Sequence, residues 1–308
     1  MSIQSKVKGV FKLIFDSDYR FLFLANTGRL WFMDDEIFLK RKYKIITGEE
    51  LNIDNPILYT EKMQWLKLYD RRIQYTTMVD KYEAKKLVAD KIGEEFIIPT
   101  LGVWDNPDNI NFEELPKSFV LKTTHDSGTA IICKNKEDFN INSAKKQLRK
   151  SLKRKYYDYN REWPYKNVKP RIIAEKYMED IQDRELRDYK FFTFGGEPKV
   201  LYIARGRADG EETVADFFDM EFNNLNFRID HNSGDKLPHP PSKFEEMKEL
   251  ARILSEGTPQ LRVDFYEANG KVYFGEMTFF HCSGFCKFSP EEWNKKFGDW
   301  INLPEKRL

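Results

Sequence analysis

The sequence predicts an α+β fold: a helical N-terminal region, then a body built mostly of antiparallel hairpins. Three observations carry this. Residues 1–80 read as mostly helical, with roughly helical apolar spacing. Beyond residue 94, short β-branched or aromatic runs recur at close intervals. Few long β–α–β units separate those runs, which disfavours a doubly wound parallel sheet.

The elements follow in order. Tyr59, Met63, Leu66 and Leu68 set a helical spacing through TEKMQWLKLYDRR, and Thr60 is the expected cap. Asp80–Ile92 reads as a second helix, stopped by Gly93. EFIIPTLGVW, SFVLKTT and TAIICK read as strands. Residues 143–158 return to a basic helical pattern. After Pro170 come the strand-like runs RIIAEKYM, LRDYKFFTF and PKVLYIAR. KFEEMKELARILSEG is a helix ended by Gly257, and QLRVDFYE with KVYFGEMTF closes the body as a hairpin.

The 308 residues allow one large domain or two to three small ones. Lys plus Arg is 51 against 50 Asp plus Glu, a net charge of +1, which argues against a bulk nucleic-acid binder. A mean hydropathy of −0.66 excludes a polytopic membrane protein. Three cysteines, Cys133, Cys282 and Cys286, are too few for a disulfide scaffold and fit a reducing compartment. His281 stands beside Cys282, but no second ligand pair lies at zinc spacing, so ordinary loop thiols are expected. The start has no signal-peptide pattern. Lys6–Leu24 mixes apolar and basic residues; it either lies on a membrane surface or packs on its own domain, and its apolar runs are too short to span a bilayer.

Two segments offer phosphate chemistry. In FVLKTTHDSGTAIICK, Lys122 ends a strand, and the polar loop Thr123–Thr129 carries Gly128 and four hydroxyls. A strand–loop–strand of this kind can fold over polyphosphate oxygens. It lacks the GK[ST] of a Walker loop, and a solvated hairpin turn explains it as well. Lys81 opens the preceding helix, where a lone lysine is commonly a surface charge.

LRVDFYEANGKVYFGEMTF is the strongest local signal. Strand alternation puts Arg262, Asp264 and Tyr266 on one side, and Glu276 and Thr278 on one side of the returning strand. A two-residue Asn269–Gly270 turn would pair Asp264 with Gly275 and send Glu276 to the opposite face. A three-residue loop, Ala268–Asn269–Gly270, pairs Glu267 with Lys271 and sets Glu276 opposite Arg262, with Asp264 diagonal. The three-residue loop is therefore expected. Converging carboxylates suit Mg²⁺, whereas a solvated face with an Arg–Glu pair is the plain alternative.

The ordered set of a helix lysine, a strand lysine with a Gly/Ser/Thr loop, Ala174-Glu175-Lys176-Tyr177-Met178, Arg-x-Asp and Glu-x-Thr resembles the ATP-grasp superfamily. More closely, DNPILYTEKMQWLK, DKYEAKK, SFVLKTTHDSG, EKYMED, LRDYKFFTFGG and the hairpin resemble the TupA-like ATP-grasp family, found with bacterial surface-polysaccharide synthesis. The resemblance spans about Asn55 to Pro290. It implies two α+β subdomains clasping ATP behind a helical N-terminal region. The divisions expected are 1–54 (helical extension), 55–100 (linking helices), 101–174 (glycine-loop subdomain) and 175–308 (subdomain with the metal-binding hairpin).

The resemblance implies roles. Lys81 and Lys122 are the nucleotide-binding lysines, and His125, Ser127, Gly128 and Thr129 close over the phosphates. Glu175, Lys176, Tyr177 and Met178 hold adenine through backbone groups, and Asp188 holds ribose. Asp264 and Glu276 ligate Mg²⁺, and Arg262 contacts the transferring phosphate. Thr278 stands where many relatives carry Asn, which puts its part as a third ligand in question. Arg205 and Arg207, at the strand end in YIARGR, can face phosphate or simply be solvated there. His281 is a candidate general base, and Ser283 and Gly284 candidate donors to a tetrahedral intermediate.

The expected activity is an ATP- and Mg²⁺-dependent carboxylate–amine ligase working through an acyl-phosphate. By resemblance, the carboxylate belongs to a uronic-acid glycan or its lipid-linked precursor, and the amine to an amino acid. The expected location is cytoplasmic, with a peripheral place at the inner membrane face as an option. The basic stretch 143–171 fits an anionic acceptor or a solvated helix. A glycosyltransferase is the rival; its usual Asp-x-Asp occurs only as Asp16-Ser17-Asp18, where a helix cap or turn reads better. A non-catalytic binder of nucleic acid or membrane is the third reading, disfavoured by the neutral charge.

Overall fold

Asp residues cap two N-terminal helices of the computed structural model, which describes residues 12–180, 186–205 and 213–307. Asp16 accepts from the N–H groups of Asp18 and Tyr19 at 3.1 and 2.9 Å and opens α1 (Ser17–Ala25). The Asp16-Ser17-Asp18 motif is thus a helix cap. Asp34 opens α2 (Asp35–Thr47) in the same way, and Gly48 closes it in the left-handed region.

Three helices follow: α3 (Tyr59–Tyr69), α4 (Gln74–Val79) and α5 (Glu83–Ile92). Thr60 lies inside α3 and does not cap it. The Glu61 carboxylate instead accepts from the Ile57 and Leu58 N–H groups at 2.8 and 2.9 Å. The Thr60 hydroxyl is taken by Tyr43 and Asn294, so tertiary contacts override the local signal. The second helix starts three residues later than expected, because Asp80 caps it from outside, accepting from Tyr82 and Glu83.

The first sheet is antiparallel, in the order β1 (Thr100–Trp104), β4 (Ile172–Lys176), β2 (Phe119–Thr123), β3 (Ala130–Cys133). Between β3 and β4 run α6 (Ile141–Leu152) and the short α7 (Tyr157–Asn160). Leu148 of α6 packs with Phe119, Leu121 and Ile172 into a small core of its own. The division drawn at residues 174/175 falls inside β4, whose last residue is Lys176.

The second sheet has the order β10 (Lys271–Thr278), β9 (Gln260–Ala268), β5 (Arg187–Phe194), β6 (Glu197–Arg205), β7 (Val214–Phe218). β7 was not legible, because buried Asp216 interrupts its apolar run; it pairs there with Arg205. A short pair, β8 (Arg228–Ile229) with β11 (Phe288–Ser289), lies beside it. The helices α8 (Phe244–Ser255) and α9 (Glu292–Asp299) complete this unit. One large core joins the second sheet to the N-terminal helices. Phe297 of α9 is fully buried among the rings of Tyr59, Phe192, Phe227 and Phe288, and truncation to Ala would cost about 3–5 kcal/mol. Gly298 lets α9 approach α3; a Cβ there would stand 2.1 Å from the Ile57 carbonyl oxygen. Each sheet thus belongs to its own α+β unit, and the two units face each other across a cleft.

Candidate active site

The first wall of the cleft comes from the four-stranded sheet. Lys122 on β2 and Glu175 on β4 lie on neighbouring strands. Glu175, 5% exposed, sits between two ammonium groups: Lys85 Nζ at 2.5 Å and Lys122 Nζ at 2.7 Å. Burial acts to raise its carboxyl, but the two lysines outweigh burial and hold it below the usual range. Burial lowers the Lys85 ammonium. Sequence reasoning passed over Lys85, although it lies four residues after Lys81, the spacing of helix neighbours.

The glycine loop is organised from beneath by Asp126, which is fully buried. Its carboxylate accepts from the hydroxyls of Thr123 at 2.5 Å and Thr129 at 2.7 Å, and from Ser151. The Lys81 N–H donates to Thr124 O at 3.2 Å, and its ammonium donates to the Asp126 carbonyl. Burial lowers the Lys81 ammonium; Glu276 and Asp126 offset part of that. Ser127, Gly128 and Thr129 line the cleft beside Lys81. His125 does not. Its ring turns to the far side of the loop, where Nε2 lies 3.1 Å from the Arg154 carbonyl, and it lines a different cavity.

The second wall comes from the five-stranded sheet. Strand pairing aligns Lys190, Asp264 and Glu276 in one row across β5, β9 and β10, with Arg262 and Thr278 in another. Arg262, Asp264 and Tyr266 face the cleft, while Val263 and Phe265 are buried in the core, as alternation requires. Lys190 was not singled out from the sequence, yet period-two spacing from Asp188 would have placed it here.

The hairpin turn corrects the expectation. Asn269 and Gly270 form a two-residue turn with φ of 53° and 74°, and Ala268 pairs with Lys271. In a regular ladder that register would have sent Glu276 to the other face. A β-bulge at Gly275 adds one residue between Phe274 and Glu276, and the register shifts. Glu276 therefore pairs with Asp264, not Arg262, and Thr278 pairs with Arg262. The carboxylates meet through the bulge, not through a longer loop.

Arg262 is the hub of this wall. Its Nε donates to Asp264 Oδ1 at 2.7 Å, and its Nη2 donates to Asp264 Oδ2 at 2.8 Å, Glu276 Oε1 at 3.1 Å and Thr278 Oγ1 at 3.0 Å. Lys190 Nζ lies 2.5 Å from Asp264 Oδ2 and also reaches Asp188. Asp264 is 1% exposed; burial acts to raise it, but Arg262 and Lys190 together hold it below the ordinary carboxylate range. Asp188 goes the other way: burial raises it, and Asp264 adds to the rise against the pull of Lys190.

Arg262 Nη1 also lies 2.7 Å from His281 Nδ1. A guanidinium can only donate, so Nδ1 accepts, and the neutral ring carries its proton on Nε2. As arranged, His281 positions Arg262 and has no free lone pair to act as a general base. The same tautomer bears on Cys282 and Cys286, which the fold brings near His281 with ligand atoms within 4.8 Å of one another. The atom facing Cys282 is the protonated Nε2. Ser283 is corrected as well. Its hydroxyl donates to Glu162 Oε1 at 2.5 Å and accepts from Asn160 at 2.8 Å, and it does not line the cleft. The backbone turns it away through positive φ at Cys282, Ser283 and Gly284. Thr278 donates to Glu276 Oε1 at 3.2 Å while accepting from Arg262; it orients Glu276 and does not line the cavity. Arg205 is paired with Asp216, outside the cleft lining. Arg207 lies outside the described residues.

The cleft has two halves. The polar half, about 420 Å³, holds Lys81, the loop, Arg262 and the carboxylates. The apolar half, about 410 Å³, is walled by Val120, Ile132, Ala204, Tyr177 and Met178. Lys122, Glu175, Asp188 and Tyr266 line both. Glu175 is inside β4 and presents its carboxylate; the Lys176 N–H donates to Pro99 O at 3.0 Å; Tyr177 and Met178 follow as the loop along the apolar half. At the hairpin end, Asp188, Asp264 and Glu276 face Lys190 and Arg262, three acids against two cations. The Asp264 and Glu276 carboxylates in this set supply the hard oxygens that suit a divalent cation such as Mg²⁺.

Among the described residues, no helix is long and apolar enough to cross a membrane. No curated protein matches the chain. Solved structures with some likeness include D-alanine–D-alanine ligase from Bacillus anthracis with ATP: 14% identity, 66% of this chain and 54% of that one, TM-score 0.38. The ATP-grasp ligase PsnB with its minimal precursor, Mg and ADP matches at 8% identity, over 72% of this chain and 57% of that one, TM-score 0.38. Biotin carboxylase from Campylobacter jejuni matches at 15% identity, over 74% of this chain and 47% of that one, TM-score 0.42. The chain thus spans about half the length of these proteins, and likenesses this low carry no functional inference. The family model for TupA-like ATP-grasp proteins, in contrast, matches residues 61–302, which include both sheets and every cleft-lining residue named above. The chain belongs to the TupA-like ATP-grasp family.

Proposed function

We propose that the chain is an ATP- and Mg²⁺-dependent carboxylate–amine ligase. One observation carries the reading: a polar cavity with Lys81, Lys122 and a hydroxyl-rich glycine loop on one wall, and Asp264, Glu276 and Arg262 on the other, continuous with an apolar slot. The slot suits a purine, with Tyr177 and Met178 along its edge, and Asp188 stands between the halves where a ribose would lie. The lysines and loop N–H groups would hold the phosphates. Asp264 and Glu276 would hold Mg²⁺, which supplies charge neutralisation at the phosphates when bound.

The reaction then follows from positioning and electrostatics. A substrate carboxylate oxygen attacks the γ-phosphorus, the bond to the β-phosphate oxygen breaks, and ADP leaves. The acyl-phosphate is attacked by an amine; the C–O bond to phosphate breaks, and an amide, phosphate and a proton result. Arg262, held by Asp264 and His281, presents its guanidinium to the transferring phosphoryl group. Family membership suggests a uronic-acid glycan or its lipid-linked precursor as the carboxylate and an amino acid as the amine, acting in the cytoplasm or at the inner membrane face. No observation favours the glycosyltransferase alternative.

The test is ADP release from ATP with candidate uronates and amino acids, with the product read by mass spectrometry. Amide plus ADP supports the reading. ADP with a stable phosphorylated product would make the chain a kinase, and UDP release from a nucleotide sugar would make it a transferase; either overturns it.

A further inference from the structure

The glycine loop has a second side. Ser127, Gly128 and Thr129 face the nucleotide cleft, while His125 faces a separate cavity of about 530 Å³. Tyr156, Tyr157 and Tyr165 line this second cavity, and Trp31, 69% exposed, stands in its lining. Arg154, Lys155 and Lys166 add three cations. Two acids are present, but Asp35 is already bound to Arg71 at 2.8 Å and Arg161 at 3.0 Å, and to the Tyr157 hydroxyl. Burial raises the Asp158 carboxyl against the pull of Arg161, Lys155 and Lys166. Lys155 makes no ion pair among the described residues, and Lys166 Nζ lies 4.9 Å from the Tyr157 ring centre.

Flat aromatic faces beside hydroxyls and cations have a defined preference. The rings offer large, rigid contact area to the C–H face of a pyranose, and the cations favour an anionic substituent. The nucleotide has its own apolar slot elsewhere, so a base is not the occupant this cavity calls for. We propose that the second cavity binds an anionic saccharide, a pyranose carrying a carboxylate or a phosphate.

The position gives the site a purpose. His125 of the glycine loop and Tyr156 line this cavity together, and the Tyr156 ring packs on Tyr165 at 4.6 Å. Tyr165 in turn lines a recess beside Gly275 and Glu276. A bound sugar would touch His125 of the loop and Tyr165, which also lines the recess beside the hairpin. Assigning it as the acceptor end of the reaction rests on the ligase reading; the binding itself does not.

The test is calorimetric titration of the full chain without ATP. The probes are a glucuronate disaccharide, its carboxyl-reduced counterpart, glucose 6-phosphate and inorganic phosphate. The charged disaccharide or the sugar phosphate should bind at least about tenfold more tightly than the reduced sugar, and the better of the two identifies the anion. Trp31→Ala and Lys155→Ala should each weaken that binding by about fivefold or more, with Mg·ADP affinity unchanged within about twofold. Equal binding of the charged and reduced sugars overturns the proposal, as does inorganic phosphate binding as tightly as the sugars, or a Trp31→Ala variant that binds normally. Mg·ADP binding without saccharide binding sinks this site and leaves the ligase reading standing. Saccharide binding without Mg·ADP binding supports the site and sinks that reading.

Discussion

A methyl group added at Gly275 would stand 3.0 Å from the Asp264 carbonyl oxygen and 3.1 Å from Tyr266 Cε2. Optimal contacts between carbon atoms lie near about 3.5–4.0 Å, so one side must give by several tenths of an ångström. The Asp264 carbonyl cannot swing aside, because β9 is hydrogen-bonded on both edges, by β10 and β5. The strain therefore falls on the bulge, which sets Glu276 opposite Asp264. Overpacking of this kind costs about 1–3 kcal/mol of stability. Gly275→Ala should also weaken Mg·ADP by about tenfold, equivalent to about 1.4 kcal/mol, while barely changing binding in EDTA. Gly270→Ala is the control. It strains the turn at φ 74° with nothing within 4 Å of the new Cβ, and should cost about 1 kcal/mol of stability without touching nucleotide affinity. Urea melts and calorimetric titration with ADP read both effects. A Gly275→Ala variant that binds Mg·ADP as well as the parent does would refute the idea that the bulge aligns the carboxylates.

Glu175→Gln leaves the partly buried Lys85 and Lys122 without their shared counter-charge. It should lower stability by about 3 kcal/mol, and ADP should restore more stability to the variant than to the parent, because the phosphates supply the missing charge; melts with and without ADP check this. Lys42 is held by Asn26, Tyr159 and Asn160 at 2.6–3.1 Å, and burial pushes its ammonium down to about 8 from 10.5. Between those values the unfolded chain binds a proton that the folded chain has released, so this residue makes stability rise as pH rises from 8 to 10.5. Urea melts of Lys42→Met should show a smaller gain from pH 8 to 10 than the parent; equal gains would contradict it. Arg262→Met strips Asp264 of one of its two cations and should cost about 3–5 kcal/mol, read in the same melts.

Much of the fold was legible because its signals are local. Alternation in LRVDFYE put Arg262 and Asp264 on the cleft and Val263 and Phe265 in the core, and both are so placed. The same rule applied to LRDYKFFTF would have added Lys190 to Asp188. The bulge was not legible, because nothing about Gly275 in the sequence distinguishes an extra residue from an ordinary strand glycine. The facing of His125 and Ser283 was hidden for another reason. Each lies in a tight loop whose direction is set by distant partners, Arg154 for one, Asn160 and Glu162 for the other. Thr278 and His281 stand beside Arg262, where the sequence did not place them, and their hydrogen bonds turn an expected ligand and an expected base into groups that hold the arginine.

In the proposed ligase, nucleotide and metal meet at Asp264 and Glu276. Glu276 is the better residue to change, because its side chain is 38% exposed and its loss leaves the buried Arg262–Asp264–Lys190 set intact. The decisive measurement is calorimetric titration of the full chain with ATP, in Mg²⁺ and in EDTA, for the parent and for Glu276→Gln. Tight binding of ATP to the parent is expected in Mg²⁺, with a loss of at least about tenfold either in EDTA or on substitution, the two losses not adding. Equal affinity in all four conditions, or no ATP binding at all, would contradict it.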